Sequence, residues 1–209
     1  MTERGRFITL EGGEGAGKST AMAVIGEWLE ASGRTVVRTR EPGGPAAAER
    51  IRALLLDPDT GEIAALTELL LMFAARNENL ERVIRPALAA GKDVLSDRFT
   101  DASMAYQGGG RQLGGGPVKV LEQLVQGDLR PDLTLLLDVP VEVGLRRIHS
   151  RAAGPDRMEQ NRPEFLERVR QAYLEQARHH PQRMVVIDAS CPLNAVRRQI
   201  IDALEERLG

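Results

Sequence analysis

Short apolar runs rich in branched residues recur along the chain at 7–10, 35–39, 93–95, 133–137 and 184–187. Between them lie longer stretches of helical period, at 18–31, 46–56, 66–89, 118–126, 141–149, 163–179 and 193–208. Runs of that length bounded by turn residues read as buried strands, and strands alternating with helices read as a parallel sheet covered on both faces. The expected fold class is therefore α/β, with three layers and a central five-stranded parallel sheet flanked by helices. Gly33 and Gly91 stand just after helical runs, where a left-handed cap is wanted. Two stretches break the pattern: 107–117, with six glycines, and 150–156, which mixes Arg, Ala, Gly and Pro. Both are expected to be mobile loops. Neither is long enough to be a linker and no repeat is visible, so one domain over 1–209 is expected.

Composition narrows the function without naming it. A chain of 209 residues with 42% hydrophobic residues and a formal net charge of -2 is an ordinary globular protein, not a coat for nucleic acid or a membrane surface. No apolar stretch approaches the roughly 20 residues of a membrane span. The start, MTERGRFITL, lacks the apolar core of a secretory signal, and the single Cys191 cannot form an internal disulfide. A reducing cytoplasm is the expected compartment. Any anion site must be local. Lysine occurs only at 18, 92 and 119 among 28 basic residues, and one of the three lies in a glycine-rich turn.

That turn is Gly12-Gly13-Glu14-Gly15-Ala16-Gly17-Lys18-Ser19-Thr20, directly after the first apolar run. Gly12, Gly17, Lys18 and Ser19 match GxxxxGK(S/T), the P-loop. Glycines let the backbone curl so that its N–H groups face phosphates, the following helix adds its positive end, the lysine reaches the outer phosphates and the serine ligates magnesium. Residues 12–20 are thus expected to bind a nucleoside triphosphate. A GTPase switch is disfavoured because no lysine follows an asparagine, and a mechanical ATPase because no apolar strand ends in Asp-Glu. The third run leads instead into Asp97-Arg98, and an arginine beside a magnesium-side acid suggests a second anion held near the first.

The chain resembles the thymidylate kinases over nearly its full length. The resemblance is carried by FITLEGGEGAGKST at the start, TREPGG at 39–44, LLMFAARNEN at 70–79, DRFTDASMAYQGGGR at 97–111, GDLRPDLTLLLDVP at 127–140 and DRMEQ at 156–160. It implies a P-loop kinase fold, transfer of the γ-phosphoryl group of ATP to dTMP in deoxythymidine nucleotide biosynthesis, a Mg²⁺ cofactor, a homodimer, and a closing lid at about 146–159. It also distributes roles. Lys18, Arg98 and the lid residues Arg151 and Arg157 would stabilise the moving group, the lid supplying arginines because the glycine loop has none. Arg147, also in the lid segment, would serve the ATP side. Glu14 would approach the acceptor, and Asp97 would orient magnesium with Ser19.

For the acceptor the resemblance implies Arg40, Glu41, Phe73, Arg76, Ser103, Tyr106, Gln107 and Glu159, together with Arg98. Phe73 stands on an apolar helix, where periodicity alone reads core; the resemblance sets it against the thymine ring, with Arg76 one turn on at the base carbonyl. Ser103 would meet the pyrimidine edge, although Ala102 stands where the family usually has serine. Tyr106 would crowd the sugar 2′ position, with a core tyrosine as the plain alternative. Arg98 could instead be half of an ion pair. The DASCP turn at 188–192 resembles the family's adenine-side turn. The other enzymatic reading is a kinase acting on a nucleoside hydroxyl; the non-enzymatic one is an ATP-dependent binding module.

Overall fold

The computed structural model describes residues 4–150 and 156–209. Strands β1 (Phe7–Gly12), β2 (Val36–Arg40), β3 (Asp93–Asp97), β4 (Leu133–Asp138) and β5 (Met184–Asp188) pair in the order β2-β3-β1-β4-β5. Every neighbouring pair is parallel. β1 is buried along its whole length, and β3 and β4 are buried at all but the last residue. Burial on both faces is why their sequences read as near-continuous apolar runs, with the buried Thr9 and Thr134 hydrogen-bonded to each other at 2.8 Å.

Helices cover both faces. Leu135 and Leu137 of β4 meet Ile25 and Leu29 of α1 (Lys18–Ala31) and Ile200 and Leu204 of α9 (Leu193–Leu208). Leu136, pointing the other way, meets Phe165, Val169 and Tyr173 of α8 (Pro163–His179). Between β2 and β3 run α2 (Ala46–Leu56), α3 (Ala65–Asn79) and α4 (Arg85–Ala89). The single helix expected over 66–89 is interrupted by a π-helical turn at Leu80–Ile84, just before Pro86. Proline has no N–H to return to the preceding turn, and its ring crowds the carbonyl there, so the turn widens.

The expectation of a mobile loop at 107–117 is corrected. After α5 (Thr100–Ser103) the chain makes a π-helical stretch, Met104–Gly110, and α6 (Gly115–Val125) begins within the remaining glycines. The glycines serve contact: a β-carbon on Gly110 would lie 2.6 Å from the Phe165 ring, and one on Gly109 would lie 2.6 Å from the Ala172 methyl. The remaining helix is α7 (Val141–His149).

β3 lies between β1 and β2, so the chain leaves β1 in one direction toward β2 and later passes to β4 on the other side. The carboxyl ends of β1 and β3 border the crevice where open α/β sheets bind ligands.

Candidate active site

The loop leaving β1 has positive φ at Gly15 (70°) and Gly17 (91°), a region costly to residues with a β-carbon. Gly15 has a second reason to be glycine. Its β-carbon would fall 2.2 Å from the Gly144 carbonyl oxygen, and one on Gly144 would fall 2.4 Å from that of Glu14. Loop and α7 therefore meet backbone to backbone. Lys18, the first residue of α1, folds back so that Nζ donates to the carbonyls of Gly12 (3.3 Å) and Gly13 (3.0 Å). Burial, and then the Arg98 charge, lower its pKa.

The loop forms one wall of a cavity of about 250 Å³ that also receives Asp97, Arg98, Arg76, Ser103 and Tyr106. Arg98, at the turn after β3, has φ 71°. Its Nη1 donates to the Gly12 carbonyl (2.9 Å) and the Tyr173 hydroxyl (3.1 Å), and its Nη2 to Glu14 (2.8 Å) and the Tyr106 hydroxyl (3.1 Å). Tyr106 in turn donates to Glu14 at 2.6 Å. Arg98 is thus paired with a carboxylate and also lines the cavity.

Arg76 crosses the cavity wall with Nε on Glu41 (2.7 Å) and Nη2 on the Phe99 carbonyl (3.0 Å) and Ser103 Oγ (2.9 Å). Its Nη1 is buried with no hydrogen-bond partner among the described residues. Burial raises the Glu41 pKa against the pull of Arg76. The Glu41-Pro42 peptide is cis. Gln107 lines the cavity while its amide donates to Glu68 at 2.9 Å, and Glu159 lines it while accepting the Asp156 N–H at 3.2 Å.

Several expectations are corrected. Phe73 is 2% exposed, packs with Leu69 and Val118, and lies under the Arg76 guanidinium at 4.3 Å, so the core reading holds. Met72, four residues before Arg76, lines the cavity with it, while Phe73 sits in the core beneath the Arg76 guanidinium. Arg40 is drawn outward by Glu49 in the first turn of α2, at 3.1 and 2.8 Å. Arg52, which the sequence reading missed, reaches the cavity, and its guanidinium donates to the Pro42 carbonyl at 2.8 Å. Its signal was the spacing from Glu49, which puts the two a turn apart on α2. Arg157 is not presented as a lid cation: Nε holds the Leu55 carbonyl (2.6 Å) and Nη2 holds Glu68 (2.7 Å). Arg151 lies outside the described residues.

A second cavity of about 260 Å³ opens on the other side of the loop, among Thr20, Arg147, Ala189, Cys191 and Arg197. Arg147 donates there to the carbonyls of Gly15 (3.3 Å) and Ala189 (3.0 Å). The glycine-rich loop thus separates two cavities of similar volume.

The model of the family described as thymidylate kinase matches residues 10–200. The chain belongs to the thymidylate kinase family. Its members are transferases that phosphorylate dTMP to dTDP in nucleotide biosynthesis, with ATP as donor. The thymidylate kinase of Chromohalobacter salexigens is 56% identical over 206 residues, covering 98% of this chain and 97% of the relative. That of Pseudomonas putida strain W619 is 59% identical over 198 residues, 95% of each. The crystal structure of the Ehrlichia chaffeensis thymidylate kinase superposes with a TM-score of 0.78 at 33% identity, over 97% of this chain and 99% of that one. Fold and family agree.

Proposed function

We propose that the γ-phosphoryl group of ATP passes in line to the 5′-phosphate of dTMP, with the ATP phosphates on the loop at 12–19 and dTMP in the cavity beside it. The observation that carries this reading is that Lys18 and Arg98 line one cavity and converge on the Gly12 carbonyl, at 3.3 and 2.9 Å. Two anions meeting end to end repel each other, and fixed cations aimed between them offset that repulsion without reorganising during the reaction. The acceptor phosphate already carries about -1.5 to -2 at neutral pH, so no general base is required.

Arg98 takes the acceptor phosphate with its planar fork, exchanging Glu14 for a stronger anion while keeping its bonds to Gly12 and Tyr173. Arg52 adds a second guanidinium. The unpartnered Nη1 of Arg76 is the donor for a base carbonyl, with Ser103 beside it, Met72 as the apolar surface along the ring, and Gln107 and Tyr106 toward the sugar. Adenosine lies in the second cavity, against Arg147 and the Ala189–Cys191 turn.

Asp97 Oδ1 is buried with no hydrogen-bond partner among the described residues, and Ser19 lines the same cavity. Oxygen donors of this kind fit a hard divalent cation such as Mg²⁺. No cluster of three His, Cys, Asp or Glu able to hold a metal occurs among the described residues, so Ser19 and Asp97 would share the ion with phosphate oxygens. When bound, it neutralises charge on the transferring group. In an ADP-release assay across the common nucleoside monophosphates, dTMP gives the highest kcat/KM and chelation of magnesium abolishes turnover. Equal slow release with every monophosphate would support an ATP-dependent binding module instead, and preference for thymidine over dTMP would support a nucleoside kinase.

The working unit in this reading is a cytoplasmic homodimer built through α3 and α6. Leu66 and Leu70 of α3 are 52% and 49% exposed, and Val120 and Leu124 of α6 are 67% and 77% exposed. Each pair is spaced i, i+4, a stripe along its helix suited to a partner helix. Sedimentation equilibrium at micromolar concentration returns twice the 22.9 kDa chain mass, and Leu70→Asp returns the single mass; a wild-type chain sedimenting at 22.9 kDa refutes the dimer.

A further inference from the structure

Glu11 is a carboxyl group with no solvent exposure, set in β1 directly before the phosphate loop; burial, and then the Asp101 charge, push its pKa up to about 8 against the pull of Arg98, Tyr173 and the Phe99 amide. A buried acid persists only when its oxygens are matched. Oε1 accepts the Phe99 N–H at 2.7 Å and Oε2 accepts the Tyr173 hydroxyl at 2.8 Å. Both donors belong to the surroundings of one residue. Phe99 follows Arg98 in the chain, and the Tyr173 oxygen that donates to Glu11 accepts from Arg98 Nη1 at 3.1 Å.

Arg98 needs holding at both ends. Its φ of 71° is a left-handed conformation disfavoured for a residue with a β-carbon. The turn is kept by the Arg98 N–H on the Leu10 carbonyl (2.9 Å), by Ser96 Oγ donating to the Arg98 carbonyl (2.7 Å), and by the Phe99 amide on Glu11. At the far end, Tyr173 comes from α8 and its ring is 1% exposed. Without a fixed acceptor, its hydroxyl could rotate away from the geometry that receives Nη1.

We propose that Glu11 is a positioning residue for the transfer: one carboxylate fixes the backbone turn beneath Arg98 through the Phe99 amide and the guanidinium through Tyr173. This rests on Arg98 as the acceptor-phosphate ligand. Glutamine at 11 keeps the volume but offers one acceptor and one donor, so it cannot receive both hydrogens as the ionised carboxylate does. Phenylalanine at 173 leaves the Phe99 bond intact and removes only the side-chain branch.

The experiment is a cycle of Glu11→Gln, Tyr173→Phe and Arg98→Ala, singly and combined, reading kcat and KM for dTMP and the Kd of a fluorescent ATP analogue. Glu11→Gln lowers kcat/KM for dTMP by about 10- to 100-fold and Tyr173→Phe by about 3- to 10-fold, both with the analogue's Kd within about twofold of wild type. In the Arg98→Ala background neither substitution lowers the residual rate further, because the group they position is gone. The proposal is overturned if the losses multiply in that background, or if ATP binding falls in step with dTMP use. Loss of activity in Arg98→Ala with wild-type behaviour in both other variants overturns this proposal alone; unchanged dTMP use by Arg98→Ala overturns the parent reading with it. Should Glu11→Gln fail to fold, Glu11→Asp, which keeps two acceptor oxygens but draws them back by one methylene, takes its place in the cycle with the same expected and overturning outcomes.

Discussion

Arg98→Ala lowers kcat/KM for dTMP by about 10²- to 10³-fold, while ATP still binds. The magnitude is that of removing one pre-aimed donor from a site where charge develops, roughly 2.7–4 kcal/mol. ATP is spared because the Arg98 guanidinium touches the loop only at the Gly12 carbonyl and the Glu14 side chain, and the loop's amides and Lys18 remain. Arg98→Lys recovers little, since an ammonium cannot hold Gly12, Tyr173 and a phosphate together as one planar fork does. Dissociation constants for an ATP analogue and for dTMP, measured beside turnover, separate the outcomes. Equal loss of both affinities would make Arg98 a brace for the phosphate loop rather than an acceptor ligand. Relieving the left-handed backbone with Arg98→Gly discards the guanidinium too, so its rate should match that of Arg98→Ala.

What the sequence disclosed tracks how local each signal was. Strand runs at 7–10 and 133–137 were visible because burial on both faces leaves each nearly all apolar, the one polar residue in each, Thr9 and Thr134, being hydrogen-bonded to the other at 2.8 Å. The phosphate loop was visible because its glycines, lysine and serine act within one turn. Glycines at 107–117 misled, because the same residue that permits a loop also permits a helix to press against Phe165 and Ala172, and only the position of α8 distinguishes the two. Phe73 misled for a related reason. On a helix buried on more than one side, spacing from Arg76 puts both Met72 and Phe73 near it but does not say which of them meets the cavity, and Met72 took that place. Arg40 and Arg157 have the charge expected of phosphate ligands, yet Glu49 and Glu68 claim them, and these partners stand 9 and 89 residues away. Long-range pairing of that kind leaves no trace in a motif.

Glu68 is where such pairing weighs most, and Glu68→Ala should lose about 3–5 kcal/mol of stability, the cost of removing one member of a buried ionic group. Its carboxylate is completely buried on α3 and accepts from Arg111 at both oxygens (3.1 Å each), from Arg157 (2.7 Å) and from Gln107 (2.9 Å). Alanine leaves two guanidinium groups facing each other with no anion between them, in a chain whose total stability is of order 5–15 kcal/mol. The urea midpoint should fall by about 1–2 M. Glu68→Gln keeps the volume and should cost less. Acid sharpens the contrast. Burial alone would raise the Glu68 pKa, but the bonds from Arg111, Gln107 and Arg157 outweigh it and hold the carboxyl below its ordinary value. A carboxyl depressed in the folded state stabilises fully above its unfolded pKa of about 4.3, and that contribution disappears as pH falls through the folded value. Wild type should therefore lose stability more steeply than Glu68→Gln below about pH 4.5, and the two curves should converge in acid. Parallel curves from pH 7 to pH 3 would mean that the carboxylate's charge does not hold these elements together, and that Arg111 and Arg157 are kept in place by their neighbours' packing and carbonyls alone.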